Sequence, residues 1–148
     1  MTRREKAISL FKDGYNCAQA IVLTFADLIS LDEDTLSKVA CSFGGGMGRL
    51  REVCGAVSGA FIVLSLLYGY STPETGEVKA EHYKKVQEVA RRFEEKNGSI
   101  VCRELLGLEA GHSDPTPTPR STDFYEKRPC PELIGDVAEI LEKFIEER

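Results

Sequence analysis

The sequence lacks the features that mark nucleic-acid-binding proteins. Its 148 residues include no tryptophan, and aromatic side chains make up only 8% of the chain. Few rings are therefore present on which bases could stack. Acidic residues outnumber basic ones by 24 to 19, whereas a domain that binds nucleic acid is usually basic. We predict that nucleic acid is not a partner.

Long apolar runs are also scarce. A single long segment without charge extends from Val53 to Tyr70, close to the lower length limit for a membrane-spanning helix. Glycines and serines interrupt this segment, and the neighbouring segments are amphipathic. We therefore expect a central core helix and no membrane span.

Cysteine is present, but not in the closely spaced pairs of zinc sites and thioredoxin-like motifs. The chain has five cysteines, and the nearest two, Cys41 and Cys54, lie 13 positions apart. Residues 1–6 lead into an amphipathic segment, with no apolar signal peptide. We therefore expect a cytoplasmic protein with reduced thiols, and not a disulfide-bonded secreted scaffold.

Helical spacing of apolar residues predominates, and we see no alternating strand pattern. Predicted helices begin near Thr2, Asn16, Asp32 or Asp34, Arg51, Glu77, Ser99 and Pro131. Residues 108–130 lack this spacing and are rich in proline, which predicts a long, stiffened loop. The fold prediction is a single all-α domain over residues 1–148, with about six or seven helices around the central apolar helix in bundle-like or orthogonal packing.

Four of the five cysteines fall at the starts of these predicted helices, namely Cys17, Cys54, Cys102 and Cys130. Free backbone N–H groups and the positive end of the helix dipole favour a thiolate there, which predicts a lowered thiol pKa. The fifth, Cys41, is on the apolar side of the third helix, where a buried core residue is expected.

Basic residues accompany these four cysteines in an otherwise acidic chain. They are Arg49 and Arg51 before Cys54, Arg103 after Cys102, and Lys127 and Arg128 before Cys130. Each would lower a thiol pKa further if its side chain points inward.

The central motif is C-G-A-x-x-G, from Cys54 to Gly59. Gly55 and Gly59 are four positions apart, a spacing that lets another helix approach closely. A glycine inside a helix costs about 1 kcal/mol relative to alanine, so tight packing must offset it. Helix packing without chemistry explains the glycines equally well. We assign Gly55, Gly59, Arg51 and Arg103 as candidate cofactor-binding residues.

This motif does not stand alone. Together with Y-N-C-A-Q-A from Tyr15, C-R-E-L-L-G from Cys102, and Cys130-Pro131, it resembles the redox-active proteins of the C_GCAxxG_C_C family over nearly the whole chain. The family name places glycine before the central cysteine, whereas here Val53 precedes Cys54 and Gly55 follows it. The resemblance implies a redox role for the four cysteines, but no particular substrate.

Three functions remain open on this pattern. The first is an iron–sulfur cluster or a zinc ion ligated by Cys17, Cys54, Cys102 and Cys130, since a cation would relieve the repulsion of four thiolates. The second is thiol–disulfide exchange, in which Cys54 attacks and Cys130 resolves. All four cysteines are thus candidate catalytic residues and candidate metal ligands.

The third possibility is a non-enzymatic helical interaction or accessory protein whose cysteines belong to the core. Geometry discriminates among the three: a common centre favours a metal, a close pair favours a disulfide, and separate pockets favour the accessory protein. The redox partner is not identified by the sequence, and a homodimer is compatible with it.

Overall fold

The structure, a computed structural model, describes residues 1–108, 112–121, 124 and 128–148. The helices of these ranges are α1 (Arg3–Lys12), α2 (Cys17–Thr24), α3 (Glu33–Ala40), α4 (Gly55–Tyr68), α5 (Gly76–Asn97), α6 (Cys102–Leu105) and α7 (Cys130–Glu146). Within the same ranges there is no strand, only an isolated antiparallel bridge between Val53 and Val101. The all-α prediction, with six or seven helices, is confirmed.

The first three helices begin at the predicted side-chain caps. The side chains of Thr2, Asn16 and Asp32 each accept a hydrogen bond from the backbone N–H three residues later. At α2 the cap is reciprocal, because the Gln19 side chain also accepts from the Asn16 backbone N–H at 3.1 Å. Local sequence chemistry therefore fixes where these helices start.

Other helix boundaries differ from the prediction. The central helix begins at Gly55, not Arg51, because Arg51 itself has a left-handed backbone with φ of 61°. The N-cap of α6 is Val101, and Ser99 instead accepts a hydrogen bond from the Val101 N–H. The last helix starts at Cys130, with Pro129 as its N-cap.

The apolar helix α4 forms the centre of the core, as expected. It packs against α2, α5 and α7, while α1 packs on α7. Gly59 permits the close approach of α2, because a Cβ atom there would lie 2.8 Å from the Ala18 carbonyl oxygen. No helix in the described ranges has the length and apolar character needed to cross a membrane.

A buried carboxylate ties three helices together beside this core. Asp136 on α7 is 7% exposed and accepts hydrogen bonds from Arg4 of α1 at 2.8 Å and from Lys96 of α5 at 3.0 Å. Burial acts to raise the pKa of Asp136, but the two basic partners outweigh it, so the pKa lies below its ordinary value.

Candidate functional site: a cavity of cysteines and arginines

The starts of α2, α4, α6 and α7 meet around a cavity of about 330 Å³, here called the cysteine cavity. All five cysteines contribute to its lining, and all five are free thiols. Cys54 and Cys102 are buried, Cys17 and Cys130 are half-buried, and Cys41 is exposed. The expectation that Cys41 is a core residue is therefore wrong: it follows the last residue of α3 and faces solvent.

Cys17 is held by its helix cap on one side and by a glycine on the other. It is the first residue of α2, directly after the cap Asn16. A Cβ atom on Gly55 would lie 2.2 Å from the Cys17 sulfur, and one on Gly44 would lie 2.5 Å from Asn16 Cγ. The two glycines thus provide the space in which the start of α2 meets the start of α4.

Cys54 and Cys102 are brought together by a short backbone pairing. The Cys54 N–H donates to the Ile100 carbonyl at 2.7 Å, and the Cys102 N–H donates to the Glu52 carbonyl at 2.6 Å. Gly46 packs directly against Cys102, because a Cβ atom at Gly46 would lie 2.6 Å from Cys102 Cβ. Two cysteines that are remote in sequence therefore share one wall of the cavity.

Another part of the cavity lining comes from the proline-rich segment that precedes Cys130. Its described residues Pro115, Pro117 and Thr118 line the cavity. Hydrogen bonds join this segment to Arg49. Arg49 Nε donates to the Asp114 carbonyl at 2.7 Å, and the Arg49 carbonyl accepts from the Ser113 N–H at 3.0 Å. The described part of the predicted loop therefore contributes to the site.

Positive charge is concentrated at this cavity. No aspartate or glutamate of the described chain lines it. Four arginines do: Arg49, Arg51, Arg120 and Arg128. Arg51 is only 3% exposed. Its Nε donates to Ser113 Oγ at 2.9 Å, and its Nη1 lies 3.7 Å from the Cys102 sulfur as a hydrogen-bond donor.

The backbone that carries two of these arginines has an unusual conformation. Met47, Arg49 and Arg51 have φ values of 68°, 68° and 61°, in the left-handed region. That conformation costs a residue other than glycine roughly 1–2 kcal/mol, and such strain clusters at functional sites. The segment therefore presents its arginines at an energetic cost that the rest of the fold must offset.

The expected lowering of thiol pKa values is wrong for three of the cysteines. Burial raises the pKa of Cys17 and the pKa of Cys54, and it raises the pKa of Cys130 to about 12. Helix N–H groups do oppose this at Cys17 and Cys54, as helix starts should, but loss of hydration is the larger effect. These thiols are protonated at neutral pH.

The thiols also influence one another. After burial, negative charge on Cys17 is the next cause that raises the pKa of Cys54, and it does the same at Cys130. Cys102 acts in this way on Cys17 and on Cys130, where Arg128 and Arg51 pull in the opposite direction. The four motif cysteines thus form one electrostatically connected group and do not occupy separate pockets.

The other predicted site residues divide into two groups. Gly55 and Arg51 line the cavity, but Gly59 and Arg103 do not. Gly59 faces α2, and Arg103 points to Glu52 at 3.3 Å, so neither is positioned to bind a cofactor in the cavity. Lys127 lies outside the described residues. Sequence reasoning missed Arg120 and Thr118, whose only signal was their place in a long loop.

A metal centre requires several ligands around one point. In the part of the chain that the structure describes, no three His, Cys, Asp or Glu side chains are grouped so as to hold a metal ion. The four cysteines surround the cavity, but they would have to move to ligate a common ion. The iron–sulfur or zinc cofactor stays a prediction, and no step is derived through it.

Comparison with known proteins adds to this geometry. An uncharacterized protein of Archaeoglobus fulgidus is 26% identical to the chain, over 93% of the chain and 89% of that protein. No solved structure matches. A family model described as "Putative redox-active protein (C_GCAxxG_C_C)" matches residues 15–144, the span that holds all four motif cysteines and the arginines around them. The chain therefore belongs to the C_GCAxxG_C_C family.

Proposed function

We propose that the protein acts by thiol–disulfide exchange, and that Cys102 and Cys17 alternate between a dithiol and a disulfide in the cysteine cavity. The observation that carries this proposal is the contact of the buried Arg51 guanidinium with the Cys102 sulfur, inside a cavity that the other motif cysteines also line. A thiolate is the nucleophile in such exchange, and a guanidinium is a suitable partner for it.

Cys102 is a better attacking residue than Cys54. Arg51 donates a hydrogen bond to the Cys102 sulfur, and this bond becomes charge-assisted when the sulfur is a thiolate. Among the described residues, no arginine donates a hydrogen bond to the Cys54 sulfur, and burial together with Cys17 raises the pKa of Cys54. We therefore assign the attack to Cys102.

Cys17 is the proposed resolving residue because its sulfur is both close to the group and firmly placed. Cys102 contributes to the raised pKa of Cys17, so the two sulfurs interact electrostatically. The helix cap and the tight contact at Gly55 fix where the Cys17 side chain can lie. A second thiol held in the same cavity as the first favours ring closure to a disulfide.

The proposed reaction balances with a small-molecule disulfide as oxidant. The Cys102 thiolate attacks one sulfur of that disulfide, and the electron pair of the broken S–S bond leaves on the other sulfur, which takes up a proton. The Cys17 thiol then loses its proton and displaces the first sulfur from Cys102. The products are a Cys102–Cys17 disulfide and two small thiols, so two electrons pass from the protein to the substrate.

The experiment combines metal analysis with thiol mapping. Protein purified without oxygen is assayed for iron, zinc and labile sulfide, then treated with bis(2-hydroxyethyl) disulfide. We expect the loss of two free thiols and a Cys102–Cys17 linked peptide in the mass spectrum. In a Cys17→Ser variant, a mixed disulfide should accumulate on Cys102. The matched control is Cys41→Ser, which removes an exposed thiol and should leave the linkage unchanged.

Other results would contradict the proposal in different ways. One such result is that the protein contains stoichiometric iron or zinc, which is lost when Cys17 or Cys102 is changed to serine. That result would overturn thiol–disulfide exchange in favour of a metal centre. A metal-free protein whose motif thiols form neither a linkage nor a mixed disulfide would favour an accessory protein with core cysteines.

A further inference from the structure

The arginines of the cysteine cavity differ from most other arginines of the protein in what they contact. Elsewhere, five arginines form ion pairs with carboxylates within 4.0 Å: Arg3, Arg4, Arg91, Arg92 and Arg103. Arg49, Arg51 and Arg128 have no carboxylate at that distance among the described residues. Their acceptors are neutral oxygens and a thiol.

Two of these arginines converge on one weak acceptor. Arg49 Nη1 and Arg128 Nη2 each donate to the Thr118 hydroxyl oxygen, both at 3.4 Å. These are long contacts for a guanidinium, whose charge-assisted hydrogen bonds to an anion are about 2.7–2.9 Å. The two side chains therefore converge on one place in the cavity, where no described residue supplies a carboxylate.

The positively charged neighbours of Arg49 act on its pKa. Burial lowers the pKa of Arg49, and the charges of Arg51 and Arg128 lower it further, while Asp114 opposes them from beyond ion-pair distance. Arg51 is 3% exposed, and Arg49 and Arg128 are half-buried, so water compensates these charges only in part. In a chain of net charge -5, these three arginines have no carboxylate within ion-pair distance in the part that the structure describes, so the group has the charge expected of an anion site.

We propose that this group selects the substrate: a small disulfide that carries carboxylate groups, bound through one carboxylate on Arg49 and Arg128 with its S–S bond at Cys102. This inference rests on the proposed thiol–disulfide exchange. The cavity volume of about 330 Å³ is at the lower end for small-molecule pockets, which favours a small organic anion. Guanidinium groups match the geometry of a carboxylate, so they recognise its shape as well as its charge.

Three disulfides with short arms of similar length and different charge test the selection. They are 3,3′-dithiodipropionate, which is dianionic, bis(2-hydroxyethyl) disulfide, which is neutral, and cystamine, which is dicationic. We expect the dianion to oxidise the protein at least about tenfold faster than the neutral disulfide, and the dication to be slowest. The advantage of the dianion should shrink as the salt concentration rises.

Variants locate the effect at the proposed site. Arg128→Gln and Arg49→Gln should each remove most of the preference for the dianion, so that the ratio of the rate with the dianion to the rate with the neutral disulfide, measured in the same variant, falls toward one. Arg91→Gln is the matched control, because it changes the net charge equally but lies on α5 in contact with Glu88 and Glu95. It should behave as the wild type does.

A binding measurement separates this inference from the redox chemistry. Suberate has the same chain length as dithiodipropionate but no S–S bond, and its titration should show a Kd that rises about tenfold in Arg128→Gln. Inorganic phosphate is titrated in parallel, and tighter binding of phosphate than of suberate would overturn the carboxylate assignment.

The two proposals fail in distinguishable ways. Equal oxidation rates with all three disulfides, or equal suberate binding by wild type and Arg128→Gln, would overturn the anion selection and leave exchange at Cys102 intact. If suberate binds and no disulfide oxidises the protein, the thiol–disulfide function is overturned and so is the disulfide substrate derived from it.

Discussion

The contact between Gly55 and Cys17 allows a quantitative test of how the site is assembled. In Gly55→Ala, the new methyl carbon would lie 2.2 Å from the Cys17 sulfur and 2.7 Å from the Phe43 carbonyl oxygen. Unstrained non-bonded carbon contacts are about 3.5–4.0 Å, so either the sulfur or the helix must shift by more than 1 Å. Since the Phe43 atom belongs to the backbone, rotation of the Cys17 side chain alone cannot relieve both contacts.

The expected effect is a balance of two terms. Overpacking of this kind costs about 1–3 kcal/mol. Alanine returns up to about 1 kcal/mol, because glycine is the weaker helix former. We therefore expect Gly55→Ala to lower the free energy of unfolding by about 1–2 kcal/mol, measured by urea denaturation of the reduced protein.

A matched control exists in the same chain. Gly76 is the first residue of α5, as Gly55 is of α4, and a Cβ atom there would meet no atom within 4 Å. Gly76→Ala should therefore be neutral or stabilise by up to about 1 kcal/mol. A double-mutant cycle with Cys17→Ala should give a coupling of about 1 kcal/mol, since removing the sulfur relieves one of the two contacts. A Gly55→Ala protein as stable as Gly76→Ala, with no coupling to Cys17, would refute the packing argument.

Three further predictions follow from charges and thiols. Asp136→Asn should lower the free energy of unfolding by about 1–3 kcal/mol at pH 7. Because the carboxylate pKa is lowered in the fold, that difference should be lost as the pH falls below the ordinary aspartate pKa of about 4, which paired denaturation curves would measure. The pKa of Cys130 near 12 means that the folded state retains a proton which the unfolded chain loses above about pH 8.5, so Cys130 alone should contribute about 1–2 kcal/mol to the fall in stability between pH 8.5 and 10. That fall should be smaller in Cys130→Ser, compared in reduced, chelator-treated protein. Arg51→Gln should slow alkylation of Cys102 by about tenfold in peptide-resolved labelling, and an unchanged rate would contradict the assignment of Cys102 as the attacking residue.

The features that the sequence predicts well are those with local causes. Caps at Thr2, Asn16 and Asp32 depend on one side chain and a backbone N–H three residues away, so residue type and spacing are sufficient. The end of α5 at Gly98, which has φ of 89°, is local in the same way. The apolar period of α4 likewise predicts a core helix before any tertiary contact is known.

The features that sequence reasoning misses depend on contacts between remote backbone groups. The pairing of residues 52–54 with residues 100–102 uses backbone N–H and carbonyl groups, which are common to nearly all residues. No side-chain pattern therefore predicts this pairing. Left-handed backbone at Arg49 and Arg51 runs against local preference, so the sequence predicts a helix from Arg51 although the helix begins at Gly55. Such conflict between local preference and the final fold is typical of functional sites.

The orientation of charged side chains cannot be read from their neighbours in sequence. Arg51 and Arg103 each adjoin a motif cysteine in the sequence or in the fold, yet Arg51 is buried in the cavity and Arg103 turns to Glu52. The sequence thus predicts that arginines accompany the cysteines, but not which of them contribute to the cavity.

The thiol pKa values show why helix starts alone do not make reactive cysteines. Backbone N–H groups at α2 and α4 favour the thiolates of Cys17 and Cys54, but removing these sulfurs from water costs more. Positive charge, with no carboxylate among the described lining residues, therefore distinguishes this cavity from an apolar core. An arriving anion can satisfy Arg49 and Arg128, while the charge of Arg51 remains directed at the Cys102 sulfur. In this arrangement, the same group of arginines both attracts the substrate and stabilises the nucleophile, so charge selection and thiol reactivity should be separable only by variants that spare Arg51.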